Sequence, residues 1–97
     1  MALRVRWSTR AKADFGDIQA YLNEYWTAKE VEKFVNKTNS ILTIVSYQPL
    51  AFKASRYKHI RKAVITKHNS VFYLVRDSEV YLLSFWDNRM DPKKNKY

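Results

Sequence analysis

The chain has no cysteine, one glycine and two prolines in its 97 residues, and each shortage removes a class of protein. Without cysteine there is no disulfide framework, no thiolate-bound zinc and no thiol nucleophile. A domain this small then stands on hydrophobic packing alone, which suits a reducing, cytoplasmic setting. With one glycine no phosphate-cradling loop or dinucleotide fingerprint can be built, and no serine-hydrolase elbow is present. Scarce glycine and proline also exclude collagen-like and low-complexity chains. No apolar run approaches the roughly 18 residues of a membrane span. Residues 1–7 alternate apolar and basic side chains where a signal peptide needs an unbroken apolar stretch, so neither export nor membrane insertion is expected.

Acidic residues are absent from the middle of the chain. Residues 1–32 carry five basic and five acidic side chains and residues 77–97 four of each, so the whole net charge of +9 lies in residues 33–76. That segment holds Lys33, Lys37, Lys53, Arg56, Lys58, Arg61, Lys62, Lys67 and Arg76 without one carboxylate. So localised a field attracts a polyanion or an acidic protein; a basic surface kept for solubility is the plainer alternative. With 46% apolar and 15% aromatic residues, the composition otherwise describes one ordered domain over residues 1–97.

Leu3, Val5 and Trp7 alternate with Arg4 and Arg6, the period of a half-buried strand. From Thr9 the period changes: Ala11, Phe15, Ile18, Leu22 and Tyr25 mark one face of a helix, with Ser8 as its N-cap. Gly16 inside it costs about 1 kcal/mol relative to alanine, and close packing against a neighbour is the expected reason. Thr27-Ala28-Lys29-Glu30 has the form of a capping box. It opens a second helix, whose stripe of Val31, Phe34, Thr38, Ile41, Leu42 and Val45 runs to a stop near Tyr47 imposed by Pro49. The short turn between the helices predicts an antiparallel hairpin.

Residues 48–58 read as a connecting loop. His59 to Thr66, Ser70 to Arg76 and Val80 to Trp86 are rich in β-branched and aromatic residues, and short polar stretches separate them, which predicts an antiparallel meander. The order β-α-α-β-β-β predicts an α+β domain, a helical hairpin packed on a four-stranded, mainly antiparallel sheet. Strict alternation places Val71, Tyr73 and Val75 opposite Phe72 and Leu74, and Leu82 and Trp86 opposite Tyr81, Leu83 and Phe85. Both sheet faces are then apolar. One hairpin covers one face, so the C-terminal tail or another molecule must close the other, and a partner is the expectation.

His59 and His68 are the only histidines, and neither has a second ligand at metal spacing, so no metal and no cofactor are expected. What remains is a basic and aromatic set: Lys58, His59, Arg61, Lys62, Lys67, His68, Tyr73, Trp86, Asp87, Asn88 and Arg89. Arginine and lysine hold phosphates and rings stack on bases, so the set is compatible with RNA. Equally, Tyr73 and Trp86 can be core residues and the lysines a guarded strand edge.

Val5-Arg6-Trp7-Ser8 leading into Ala11, Asp14, Ile18 and Tyr21, then Ile60-Arg61-Lys62-Ala63-Val64-Ile65, Val71-Phe72-Tyr73-Leu74-Val75 and Phe85-Trp86-Asp87-Asn88-Arg89-Met90-Asp91-Pro92, resemble the RelE/ParE superfamily of small bacterial toxins, the plasmid stabilisation proteins. The resemblance covers nearly the whole chain. It implies a type II toxin neutralised by an acidic antitoxin, which wraps it through an extended C-terminal segment. Two targets follow from it. RelE-like members cut mRNA on the ribosome, where basic groups and a C-terminal acid–base group move a proton and stabilise charge. On that reading Arg61, Arg89 and Tyr97 are the catalytic candidates, and Lys58, His59, Lys62, Lys67, Tyr73 and Trp86 the binding residues; Ala63 and Ser70 stand where the pattern has Lys and Arg. ParE-like members poison DNA gyrase by contact, with no reaction of their own. A basic nucleic-acid or protein-binding module that has lost toxicity is the alternative to both.

Overall fold

Two hydroxyl groups set the helical layer. Ser8, in extended backbone, accepts the Ala11 N–H at 2.9 Å and starts α1 (Thr9–Tyr25); Thr27 accepts the Glu30 N–H at 3.2 Å and starts α2 (Ala28–Tyr47). The Glu30 carboxylate meets Lys33 at 3.5 Å. Ala11, Ile18 and Leu22 of α1 and Phe34, Leu42 and Val45 of α2 are buried in one core. Thr38 shares that buried stripe because its hydroxyl is satisfied by donating to the Phe34 carbonyl at 2.8 Å.

The computed structural model describes residues 2–55, 57 and 59–87. It is an α+β domain in which the helices pack on a five-stranded sheet of β1 (Arg4–Trp7), β2 (Lys53–Ala54), β3 (Arg61–Val64), β4 (Asn69–Arg76) and β5 (Glu79–Asp87), ordered β1-β5-β4-β3-β2. β1 runs parallel to β5 and the other neighbours are antiparallel. The fifth strand, β2, falls inside the expected loop. Its two residues, paired with Lys62 and Arg61, are too few to show a period of two, so no sequence pattern marks it.

A bulge corrects the face assignment. Phe72 pairs with Ser84 but Tyr73 pairs with Leu82, so Leu83 is an extra residue in β5. Leu82 and Phe85 therefore both join the core beneath the helices, while Trp86, opposite Ser70, faces away with Phe72. Phe72 and Trp86 are nevertheless only 1% and 8% exposed. These two rings of the outer face are therefore buried in the chain by itself, while Val64 on the same face is exposed.

α1 is fixed to β5 where β1 runs out. β1 ends at the Trp7–Leu82 pair, and beyond it Ser8 and Asp14 take the place of a neighbouring strand. The Ser8 N–H donates to the Leu82 carbonyl at 3.1 Å, the Ser8 hydroxyl to the Leu83 carbonyl at 3.0 Å, and the Phe85 N–H to the Asp14 carboxylate at 3.1 Å. Beneath these bonds, the rings of Trp7, Phe34 and Phe85 each lie 5.1–5.2 Å from Phe15, with Trp7 and Phe85 also 5.2 Å apart. Across the β1–β5 pair, Arg6 donates to Glu79 at 2.6 Å, a hydrogen bond that holds the Glu79 carboxyl below its ordinary range.

Two positions carry avoidable backbone cost. Gly16 is exposed, and a Cβ built on it meets nothing within 4 Å, so close packing is not its purpose and nothing in the structure explains it. The β4–β5 turn has two central residues, Asp77 and Ser78, with φ of 52° and 61°, the left-handed pair of a type I′ turn, where glycine is preferred at the second position. Gly16→Ala and Ser78→Gly should each stabilise the protein by about 0.5–1 kcal/mol. In a domain of this length that raises the melting temperature by a few degrees, about 4–8 °C per kcal/mol. Thermal unfolding of the two variants checks this, and a lower melting point for Gly16→Ala would mean that its exposed face is already occupied.

Candidate functional site

The described basic residues of segment 33–76 do not assemble into one patch. Arg61 and Tyr73 are register partners in β3 and β4 and point beneath the helices. There the Arg61 guanidinium donates to the Phe52 carbonyl at 2.8 Å, and the fully buried Tyr73 hydroxyl donates to the Pro49 carbonyl. The Phe52 ring meets the Tyr73 ring edge-on at 6.3 Å. Arg61 and Tyr73 therefore clamp the connector between α2 and β3 onto the sheet. Burial pushes the Tyr73 phenol up to about 12, with the Arg61 charge pulling the other way.

Lys62 faces the opposite side beside its register partner Phe72. On that side too, Trp86 is buried opposite Ser70, whose hydroxyl is also fully buried. Lys67 is exposed in the β3–β4 turn next to the half-buried His68, whose N–H donates to the Thr66 hydroxyl at 3.2 Å. His59 is exposed in the turn before β3, at the strand's other end. It borders a cavity of about 480 Å³ shared with Tyr57, Leu74 and Arg76. The structure thus brings Arg61 together with Tyr73, places Lys62 on the same sheet face as Trp86 but two strands away, and leaves Lys67 and His59 at opposite ends of β3. Lys58, Arg89 and Tyr97 lie outside the described residues.

A larger cavity, about 730 Å³, opens between the tip of the helical hairpin and the β3–β4 turn. Leu22 and Phe34 form its apolar floor, and Trp26, Lys33, Lys37 and Lys67 stand on its rim. Sequence reasoning passed over Trp26, which lies beside the apolar stripe of α1 and is 55% exposed as the C-cap. The available signal was Lys33 and Lys37, one turn apart around the stripe residue Phe34. Among the described residues no three of His, Asp and Glu gather as a metal site, and no helix is long and apolar enough to cross a membrane.

The family model for the ParE toxin of the type II toxin–antitoxin system parDE matches residues 5–92. The chain belongs to this family, within the RelE/ParE superfamily, and is the toxin component of a type II toxin–antitoxin system. Solved structures agree in fold. The chromosomal ParDE system of P. aeruginosa is similar at a TM-score of 0.76 and 16% identity, over 89% of this chain and 96% of that one. A copper-bound mutant toxin from Helicobacter pylori is similar at 0.59 and 26%, over 88% and 93%. The RelBE toxin–antitoxin complex of Mycobacterium tuberculosis is similar at 0.60 and 16%, over 90% and 99%. No curated protein matches.

The clamp has a pH signature. Because the folded chain holds the Tyr73 proton up to about 12 against an ordinary value of 10.0, its contribution is complete below the unfolded value and is lost as pH rises through the folded one. Tyr73→Phe should be less stable than wild type at pH 8 by about 1 kcal/mol. That gap should close as the pH is raised through about 10 to 12. Urea unfolding of both proteins across this range checks it; a gap that stays constant would mean that the phenol does not ionise with unfolding.

Proposed function

We propose that this ParE-family toxin acts by binding a protein target, DNA gyrase, with no reaction of its own, and that an acidic antitoxin encoded beside it holds it inactive. The observation that carries this reading is the state of the sheet positions where ribonuclease chemistry would need free groups. The Arg61 guanidinium is committed to the Phe52 carbonyl, and the Tyr73 hydroxyl to the Pro49 carbonyl. Ala63 and Ser70 are fully buried, and neither carries a basic group. Arg61 and Tyr73 are positioning residues on this reading, and Lys62, Lys67 and His59 supply field and contact.

The antitoxin half of the proposal is supported by the family's parDE description and by the +9 charge, which an acidic partner would offset. A gyrase supercoiling assay beside a ribosome-dependent mRNA cleavage assay tests the target. The expected result is inhibited supercoiling with mRNA left intact. Cleavage that falls about 100-fold or more in Arg89→Ala, the effect of losing one transition-state donor, would overturn the proposal in favour of the ribonuclease. A folded protein inert in both assays would leave the non-toxic binding module.

A further inference from the structure

We infer that the acidic antitoxin docks in the cavity between the hairpin tip and the β3–β4 turn, seating an apolar side chain over Leu22 and Phe34 while its carboxylates meet Lys33, Lys37 and Lys67. This rests on the antitoxin reading above and gives that partner a location. The cavity, at about 730 Å³, falls in the range of about 300–1,000 Å³ typical of sites that bury a ligand. Its floor is made of core side chains, Leu22 at 6% and Phe34 at 2% exposure, so an inserted apolar group would continue the hydrophobic core outward.

The rim carries charge of one sign on two separate elements. Lys33 and Lys37 lie one helical turn apart on α2, and Lys67 comes from the turn across the cavity. Among the described residues the one carboxylate in the lining is Glu30, paired with Lys33. An apolar trough between lysines complements a segment that mixes apolar and acidic side chains. Trp26 stands at this rim 55% exposed, and tryptophan covered at an interface is the residue type that most often dominates binding. A single-stranded nucleic acid would also meet lysines and an indole, but its bases stack on exposed rings and do not fill a floor recessed among core residues.

The test uses the full chain and the polypeptide of the neighbouring antitoxin reading frame. Affinity is measured at about 50 and about 200 mM salt for wild type, Trp26→Ala and the triple variant Lys33→Gln/Lys37→Gln/Lys67→Gln. All four side chains are exposed, so wild-type circular dichroism is expected for both variants. Trp26→Ala should weaken binding roughly 30-fold or more, and the triple variant should bind more weakly with a flatter salt dependence. In wild type, tryptophan emission should shift to the blue on saturation, and Trp26→Phe should lack that shift; this readout stands even if Trp26→Ala fails to fold. Antitoxin that binds wild type and both variants alike would overturn the docking site while leaving the antitoxin reading intact. Failure to bind wild type at all would overturn that reading itself. Variants that keep antitoxin affinity but lose affinity for a single-stranded oligonucleotide would also overturn the inference and assign the cavity to nucleic acid.

Discussion

The junction between α1 and β5 is the constraint on which the remaining architecture depends. β1 is four residues long and β5 is nine, so the parallel pairing stops halfway and leaves β5 with backbone groups that a strand would normally satisfy. Ser8 and Asp14 fill that gap from the helix side. Ser8 does two things with one hydroxyl, accepting from Ala11 to start the helix and donating to Leu83 at the bulge. A helix held at its N-cap and again six residues later has little freedom in its angle to the sheet. That angle presses Phe15 between Trp7, Phe34 and Phe85. Removing the Asp14 carboxylate would leave the Phe85 amide unpaired, a cost of about 1–3 kcal/mol.

A second clamp governs the charged segment. The connector from α2 to β3 contributes little packing of its own beyond Phe52, and Arg61 and Tyr73 hold it by two of its carbonyl groups. An arginine that a residue-by-residue reading assigns to phosphate is, in the folded chain, hydrogen-bonded to the protein's own backbone. The +9 field persists regardless, because a guanidinium keeps its charge while accepting a structural role. Part of the segment's positive charge therefore holds the fold together.

The strong periodicities were legible before folding. The two helices, their hydroxyl caps and the antiparallel β3–β4–β5 run follow from spacings of three and four, from Ser8 and Thr27, and from short polar breaks between β-branched runs. What escaped the sequence were features one or two residues in size. β2 is too short to alternate, and the bulge at Leu83 reverses every later side chain of β5 without changing its composition. Gly16 invited a packing explanation that its open surroundings do not support.

The family was legible as well, because the ordered segments from Val5 to Pro92 carry the resemblance and the matching family model spans residues 5–92. By itself the sequence determined the α+β class and the segregation of positive charge into residues 33–76, since these depend on composition and periodicity summed over many residues, while membership among type II toxins rests on the likeness of its ordered segments to that family. The tertiary structure alone decided where the cations stand. Arg61 turns inward to a carbonyl, Lys62 turns outward beside Phe72, and Lys33, Lys37 and Lys67 meet around one apolar hollow. Lys37 and Lys67 are thirty positions apart in the chain, and only the packing of the hairpin against the β3–β4 turn brings them to the same cavity.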